Sequence, residues 1–254
     1  MTNLIVANYL DNNPRYNFQM LETLIKAQID NSIELSKQVT LVTNFDYEYM
    51  GVRANKADLN THCATGSKMF AVKWLFENTD TDTVWAHDLD CWQNIPFECP
   101  EFKDVGIACY SNSKRNGGSV FWRRSAKDII DNVVKAIIDN KLDREEPILN
   151  LVLNEYKDRT TILNHTYNVG CSGFMVRYLY ADKPIKVVHL HPTNRIAWET
   201  HVLDRSGLGI TLSPRLENLI RKHYPNLSVE LSEKGRKRRA EKIRRMYEKN
   251  QKCG

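Results

Sequence analysis

Ahead of Asp88 the chain alternates between two periodicities, and that alternation limits it to few architectures. Leu4–Ala7, Val39–Thr43 and Thr83–Ala86 are short apolar runs of strand length. Between them, Phe18 to Ile29 and Gly66 to Asn78 carry apolar residues at helical spacing: Met20, Leu21, Leu24, Ile25 and Gln28/Ile29 in the first, Met69, Phe70, Val72, Trp74, Leu75 and Phe76 in the second. Strand, helix, strand, helix, strand predicts a parallel sheet with crossover helices. The second half is more mixed. Strands are expected at Val105–Tyr110 and Ser119–Trp122 around a loop Ser111–Gly118, then a helix beginning at Ser125 with Asp128 at the capping-box position, and another from Arg144 to about Tyr156. Short strands at Thr161–Leu163, Phe174–Val176 and Lys186–Leu190 and a helix near Ser213–Tyr224 complete the series. The 254 residues are enough for one such domain, expected over 1–226, followed by a basic extension over 227–254.

This architecture says where to look for chemistry, because ligands of open α/β sheets bind beyond the carboxyl ends of the strands. Asp88-Leu89-Asp90 follows the apolar run Thr83–Ala86 directly and falls at that end. A second pair, Asp80 and Asp82, precedes the run and belongs at the opposite edge, as a solvated turn. Carboxylates at the first position can hold Mg²⁺ or Mn²⁺ against a diphosphate, an oxygen-rich arrangement that suits these ions. Asp90 is then the better ligand, with Asp88 touching sugar or ribose or reaching the metal through water. Two solvated turn aspartates are the plain alternative.

Other residues are candidates to join this pair. His189 and His191 share one face of an extended segment, since strand side chains alternate, and either could be a third ligand. Lys68 opens the helix feeding the Asp88 strand, so its N-terminus falls on the same edge and favours phosphate or sugar oxygens. Arg195 could neutralise a leaving diphosphate. Glu145 and Glu146 open a helix with Asp143 as N-cap, and one of them could act as general base or stabilise a developing oxocarbenium ion; completing the helix cap is the bland role. Asn116-Gly117-Gly118 reads as a loop that lets backbone approach a ligand closely, or as a hairpin turn.

In order and spacing these features resemble GT-A-fold glycosyltransferases, nearest the family-8-like retaining galactosyl- and glucosyltransferases. The resemblance covers residues 1 to about 200. It implies that Ala7, Asn8, Tyr9 and Asp11 form a nucleotide-binding loop and that Asp88-Leu89-Asp90 is the metal-binding Asp-x-Asp. Asn116 to Trp122 corresponds to the Asn-Gly segment leading into a strand, and His189 with Arg195 and Trp198 to a late His-Lys-Trp. Glu145-Glu146-Pro147-Ile148-Leu149-Asn150 stands where the pattern has Asp-Gln-x-x-Leu-Asn. The exchange of Asp-Gln for Glu-Glu leaves both retaining and inverting chemistry open. The implied fold is a GT-A-like, mixed but mainly parallel sheet flanked by helices, ending in a basic helical extension. The implied reaction is Mn²⁺- or Mg²⁺-dependent sugar transfer from a nucleotide sugar, a UDP-sugar favoured.

Charge distribution bears on the acceptor. Glu233 to Lys252 holds ten Lys/Arg against three Glu, a surplus of seven in a chain of net charge +5, so the remainder is slightly acidic. The basic run 234–252 could grip nucleic-acid phosphates, as in a virus-type enzyme that glycosylates hydroxymethylated DNA bases. An anionic membrane is the rival partner, with a membrane-associated glycan or lipopolysaccharide as acceptor, although Ala240, Ile243, Met246 and Tyr247 make a thin apolar stripe. A metal-dependent nuclease or phosphotransferase built on Asp88, Asp90 and Glu145/Glu146 is the reading from another class, and a catalytically silent nucleic-acid-binding protein is a third. No apolar run reaches the roughly 18–20 residues of a transmembrane helix, the start reads as a first strand rather than a signal peptide, and six cysteines lack any Cys-x-x-Cys pair. A cytoplasmic home follows as the expectation.

Overall fold

The computed structural model describes residues 1–11, 17–36, 38–59, 66–109, 114–140, 145–170, 180–189 and 212–225. Eight strands form one sheet in the order β3-β4-β2-β1-β5-β8-β7-β9. They are β1 (Thr2–Ala7), β2 (Val39–Thr43), β3 (Glu48–Tyr49), β4 (Val52–Lys56), β5 (Thr83–His87), β7 (Val105–Cys109), β8 (Arg115–Arg123) and β9 (Thr160–Ile162). A smaller sheet in the order β10-β11-β6 joins Val169–Gly170, Val187–His189 and Cys91–Gln93.

The expected alternation is present. Strands β4, β2, β1 and β5 run parallel, and β1 is buried along its whole length, as a central parallel strand must be when helices cover both faces. Helix α1 (Phe18–Leu35) covers one face, packing Leu21, Ile25 and Ile29 on Ile5, Ala7 and Leu41. Helix α2 (Ser67–Asn78) covers the other, where Met69, Val72, Leu75 and Phe76 meet Leu4, Val6 and Val42. Each fully buried Leu, Ile, Val or Phe contributes about 1.5–3 kcal/mol, so these two layers hold the sheet. Helices α3 (Lys127–Asn140) and α4 (Glu145–Glu155) extend the α2 layer, and α5 (Pro214–His223) packs beside α1 over the small sheet. Among the described residues no helix is long and apolar enough to cross a membrane.

Local chemistry sets the helix ends. The Asn17 side chain accepts the Met20 amide to cap α1, and Ser213 caps α5 with Pro214 in the first turn.

Several expectations need correction. Helix α1 continues to Leu35, past Ile29. Asn116, Gly117 and Gly118 lie inside β8 and not in a loop: they fall where the register with β7 shifts, between the Ile107–Val120 and Cys109–Arg115 pairs, and the Gly118 carbonyl accepts the Asp88 N–H at 2.9 Å. Ser125 does not start a helix: it sits in a 3-10 turn and donates its hydroxyl to Asp104, while Asp128 pairs with Arg159. Strands β3, β4, β6 and β10 add to the expected set. Tyr110, Ser111, Asp143, Arg144, the expected strand Phe174–Val176, Leu190, His191, Arg195, Trp198 and the basic run 234–252 lie outside the described residues.

Candidate active site

The chain leaves β1 toward β2 on one side and returns to β5 on the other, so the topological switch point lies between β1 and β5. That crevice is where such sheets bind ligands. Asn8 follows β1 and donates its side-chain amide to Ser67 Oγ at 2.6 Å, joining the end of β1 to the start of α2. Tyr9 is clamped by Asn44, which accepts the Tyr9 N–H and donates to the Tyr9 carbonyl, both at 2.8 Å. Tyr9, Phe18, Phe45 and Tyr47 continue outward in edge-to-face contacts. Ala7 is buried, and Asp11 is exposed.

Across the crevice, β5 ends in a turn closed by the Cys91 N–H on the Asp88 carbonyl at 2.9 Å. Asp88 is 40 % exposed along its side chain and Asp90 is 12 % exposed. The Asp80 and Asp82 pair is exposed at the opposite edge. His189 closes the group from β11, whose antiparallel pairing with β6 sets it opposite Cys91. Its Nε2 lies 3.1 Å from Asp90 Oδ1 and 3.7 Å from Asp88 Oδ2. Asp88, Asp90 and His189 thus come together, while His191 lies outside the described residues.

A carboxylate oxygen from each aspartate stands within 3.7 Å of the imidazole nitrogen, and oxygen donors are the kind that a hard divalent ion takes. An octahedral ion with ligands at about 2.0–2.1 Å puts neighbouring donors roughly 3 Å apart. Cys91 Sγ also comes within 4.8 Å of the Asp90 and His189 donor atoms. Its thiol belongs to the cluster of Trp85, Phe121 and Tyr167, and burial pushes its pKa well up.

Behind the turn sits a buried charge cluster. Lys68 Nζ reaches Asp88 Oδ1 at 2.5 Å, Glu145 Oε1 at 2.7 Å and the Gly117 carbonyl at 2.6 Å. Burial alone would favour the neutral amine, but the two carboxylates outweigh it and keep the ammonium charged. One ammonium serves two carboxylates, and the more buried of them yields: burial pushes the Glu145 carboxyl up to about 7, against the pull of Lys68. Glu146 is more open, accepting from Asn116 Nδ2 at 3.1 Å with Lys114 at 3.5 Å.

The two glycines of β8 explain how these side chains fit. A Cβ on Gly118 would stand 2.5 Å from the His189 ring, and one on Gly117 would stand 3.0 Å from Glu145 Oε1. The close approach they permit is filled by the protein's own imidazole and carboxylate.

Sequence reasoning missed Gln28, His87 and its partner Asn3, which support the turn, and Asn168, which supports the strand beside it. Gln28 of α1 donates to the carbonyls of Leu89 and Cys91. His87 places Nδ1 2.9 Å from the Asp88 carbonyl and Nε2 2.8 Å from the Asn3 side-chain amide, and burial lowers its pKa to about 4, so it is neutral. Asn168 donates to Asn116 Oδ1, which also accepts the Gly118 N–H. A polar residue recurring on an otherwise apolar helix face, as Gln28 does, was the available signal.

No protein-family model matches the sequence, and a search of curated proteins finds no match. Solved structures do resemble the fold. The glycosyltransferase GlyE of Streptococcus pneumoniae TIGR4 superposes with a TM-score of 0.53 at 14 % identity over 87 % of this chain, which spans 60 % of the GlyE chain. The galactosyltransferase LgtC, solved with donor and acceptor sugar analogues, gives 0.52 at 13 % identity over 92 % of this chain and 98 % of its own. A glycosyltransferase involved in glycosylating the major capsid of PBCV-1 gives 0.51 at 12 % identity over 77 % and 95 %. At such identities the likeness is one of architecture: the protein has the mixed, largely parallel sheet flanked by helices of GT-A-type glycosyltransferases.

Proposed function

We propose that the protein is a metal-dependent glycosyltransferase that moves a sugar from a nucleotide sugar, a UDP-sugar favoured, to an acceptor hydroxyl. The observation that carries this reading is the convergence of Asp88, Asp90 and His189 at the carboxyl end of β5 in a GT-A-type sheet. These three side chains would hold Mn²⁺ or Mg²⁺, which when bound offsets the negative charge of a departing diphosphate. Lys68 engages one oxygen of Asp88 and leaves the other facing His189, so the carboxylate has a fixed orientation. Asn44 holds the Tyr9 backbone where the nucleotide-binding loop is expected, beside the aromatic group with Phe18. Of the two glutamates, Glu145 is engaged behind the turn, and Glu146 is the one open enough to meet an acceptor hydroxyl. We assign Glu146 to that role, as general base or as stabiliser of developing positive charge on the sugar.

The proposed acceptor rests on the sequence alone. The basic run 234–252 favours a polyanion, and we propose a hydroxymethylated base in DNA, with a membrane-associated glycan as the second choice.

Incubation with Mn²⁺ and a panel of UDP-sugars tests the reaction. Slow release of UDP without acceptor is expected, lost in Asp90→Asn. Intact sugar nucleotides alongside degraded DNA would replace this reading with a nuclease. Transfer to hydroxymethylated DNA that collapses with rising salt supports the nucleic-acid acceptor, and salt-insensitive transfer to a glycan rejects it.

A further inference from the structure

The buried face of α1 carries amides and a hydroxyl where apolar groups would be expected: Gln28, Asn31 and Ser32 are all at most 1 % exposed. Gln28 points at the turn that bears the paired aspartates. Its Nε2 donates to the Leu89 carbonyl at 2.7 Å and to the Cys91 carbonyl at 2.8 Å. The first of these bonds fixes the peptide entering Asp90. The peptide leaving Asp90 is fixed by its own N–H, that of Cys91, on the Asp88 carbonyl at 2.9 Å. With both flanking peptides held, the backbone of Asp90 has one conformation and its Cα–Cβ bond has one direction.

Gln28 Oε1 has no hydrogen-bond partner among the described residues. A buried polar group left so costs about 1–3 kcal/mol. A Leu or Met of similar length would avoid that cost, and the neighbouring helix positions Leu24, Ile25 and Ile29 are apolar. The amide therefore serves through its two N–H groups, and what those groups hold is the turn.

We infer that Gln28 is a positioning residue that aims the Asp90 carboxylate at the metal position shared with His189. The inference rests on the proposed metal-dependent transfer. Gln28 touches neither substrate nor ion; it acts through the backbone on either side of Asp90. Interactions behind a ligand commonly set metal affinity, and their loss weakens binding on the order of 10–100-fold.

The test is Mn²⁺ affinity by isothermal titration calorimetry in the presence of UDP, with thermal unfolding recorded on the same samples. Gln28→Met keeps length and removes both donors, and Gln28→Glu keeps shape while turning an oxygen toward a carbonyl. Both are expected to unfold cooperatively and to bind Mn²⁺ on the order of 10–100-fold more weakly than the parent protein. A Gln28 variant that binds Mn²⁺ like the parent while Asp90→Asn loses it would overturn the positioning role and leave the metal reading intact, and reduced stability with unchanged Mn²⁺ affinity has the same consequence. A parent protein that takes up no Mn²⁺ removes both. Failure of both Gln28 variants to fold makes Gln28 a residue of the core and also overturns the inference.

Discussion

Two charge clusters brace this fold, one built around a buried lysine and the other around a buried aspartate. At the sheet edge one ammonium, Lys68, lies 2.5 Å and 2.7 Å from the carboxylates of Asp88 and Glu145. Between α1 and α5 one carboxylate, Asp30, lies 2.7 Å and 2.8 Å from Lys222 and His223. The first cluster is short of positive charge, and burial drives Glu145 up to about 7. In the second, burial pushes Asp30 upward, but hydrogen bonds from Lys222 and His223 overcome it and hold the carboxyl below its ordinary value. A cluster with surplus carboxylate next to Asp90 and His189 is suited to receive a cation. A cluster whose carboxylate is already matched is suited to fasten one helix to another, and Arg215, bonded to Asn31 and the Gln93 carbonyl, fastens the same pair.

The contrast can be broken most forcefully at Lys68. Lys68→Met removes the ammonium from the buried Glu145 carboxyl, and a loss of about 3–5 kcal/mol is expected in chemical denaturation. Lys68→Met combined with Glu145→Gln should recover most of it. Asp90→Asn touches function instead: Mn²⁺-dependent hydrolysis of the UDP-sugar is expected to fall by more than about 100-fold, since even outer partners of a metal ligand cost about 10–100-fold. Gly118→Ala should displace the His189 ring, and weaken Mn²⁺ binding by about tenfold in calorimetry with Asp90 unaltered. The smallest effect belongs to the helix clamp. Asp30→Asn is expected to lower Tm by about 2–4 °C with no change in Mn²⁺ affinity. Because the Asp30 pKa is depressed, its stabilisation is present above the ordinary carboxylate range and is lost as pH falls through the lowered value. The variant should therefore show a flatter loss of stability below about pH 4. Equal effects of the Asp30 and Lys68 changes on Mn²⁺ binding would erase the distinction between the clusters.

The sequence disclosed the parts whose burial is one-sided or complete. Strands β1, β2 and β5 and helix α2 were legible because Leu4, Ile5, Leu41, Val84 and the α2 stripe announce a core regardless of their partners. The edge of β5 followed from chain direction, and with it Asp88 and Asp90. Asn116–Gly118 were misread as a loop because two glycines usually signal a turn. Here they are thin strand residues that leave space for His189 and Glu145, a reason that exists only once the other elements are in place. Strand β4, Val-Arg-Ala-Asn-Lys, lies near the sheet edge and alternates half-buried Val52 and Ala54 with exposed Arg53 and Asn55, but two apolar residues are too few to announce a strand. Strands β6 and β10 are two or three residues long and form through their pairing with β11. From the sequence Lys68 reads as a ligand of phosphate or sugar oxygens, and its burial against two carboxylates is decided by α4, distant in the chain.

The pairing of β11 with β6 has a consequence for how the protein is made. His189 faces Asp90 from roughly a hundred residues further along the chain, a long-range contact of the kind that forms late. At about 5–20 residues per second of synthesis, the aspartate turn leaves the ribosome about 5–20 s before its imidazole partner. For that interval the nascent chain holds two carboxylates without the third donor. Completion of the donor set, and with it the proposed metal site, is timed by translation of β11.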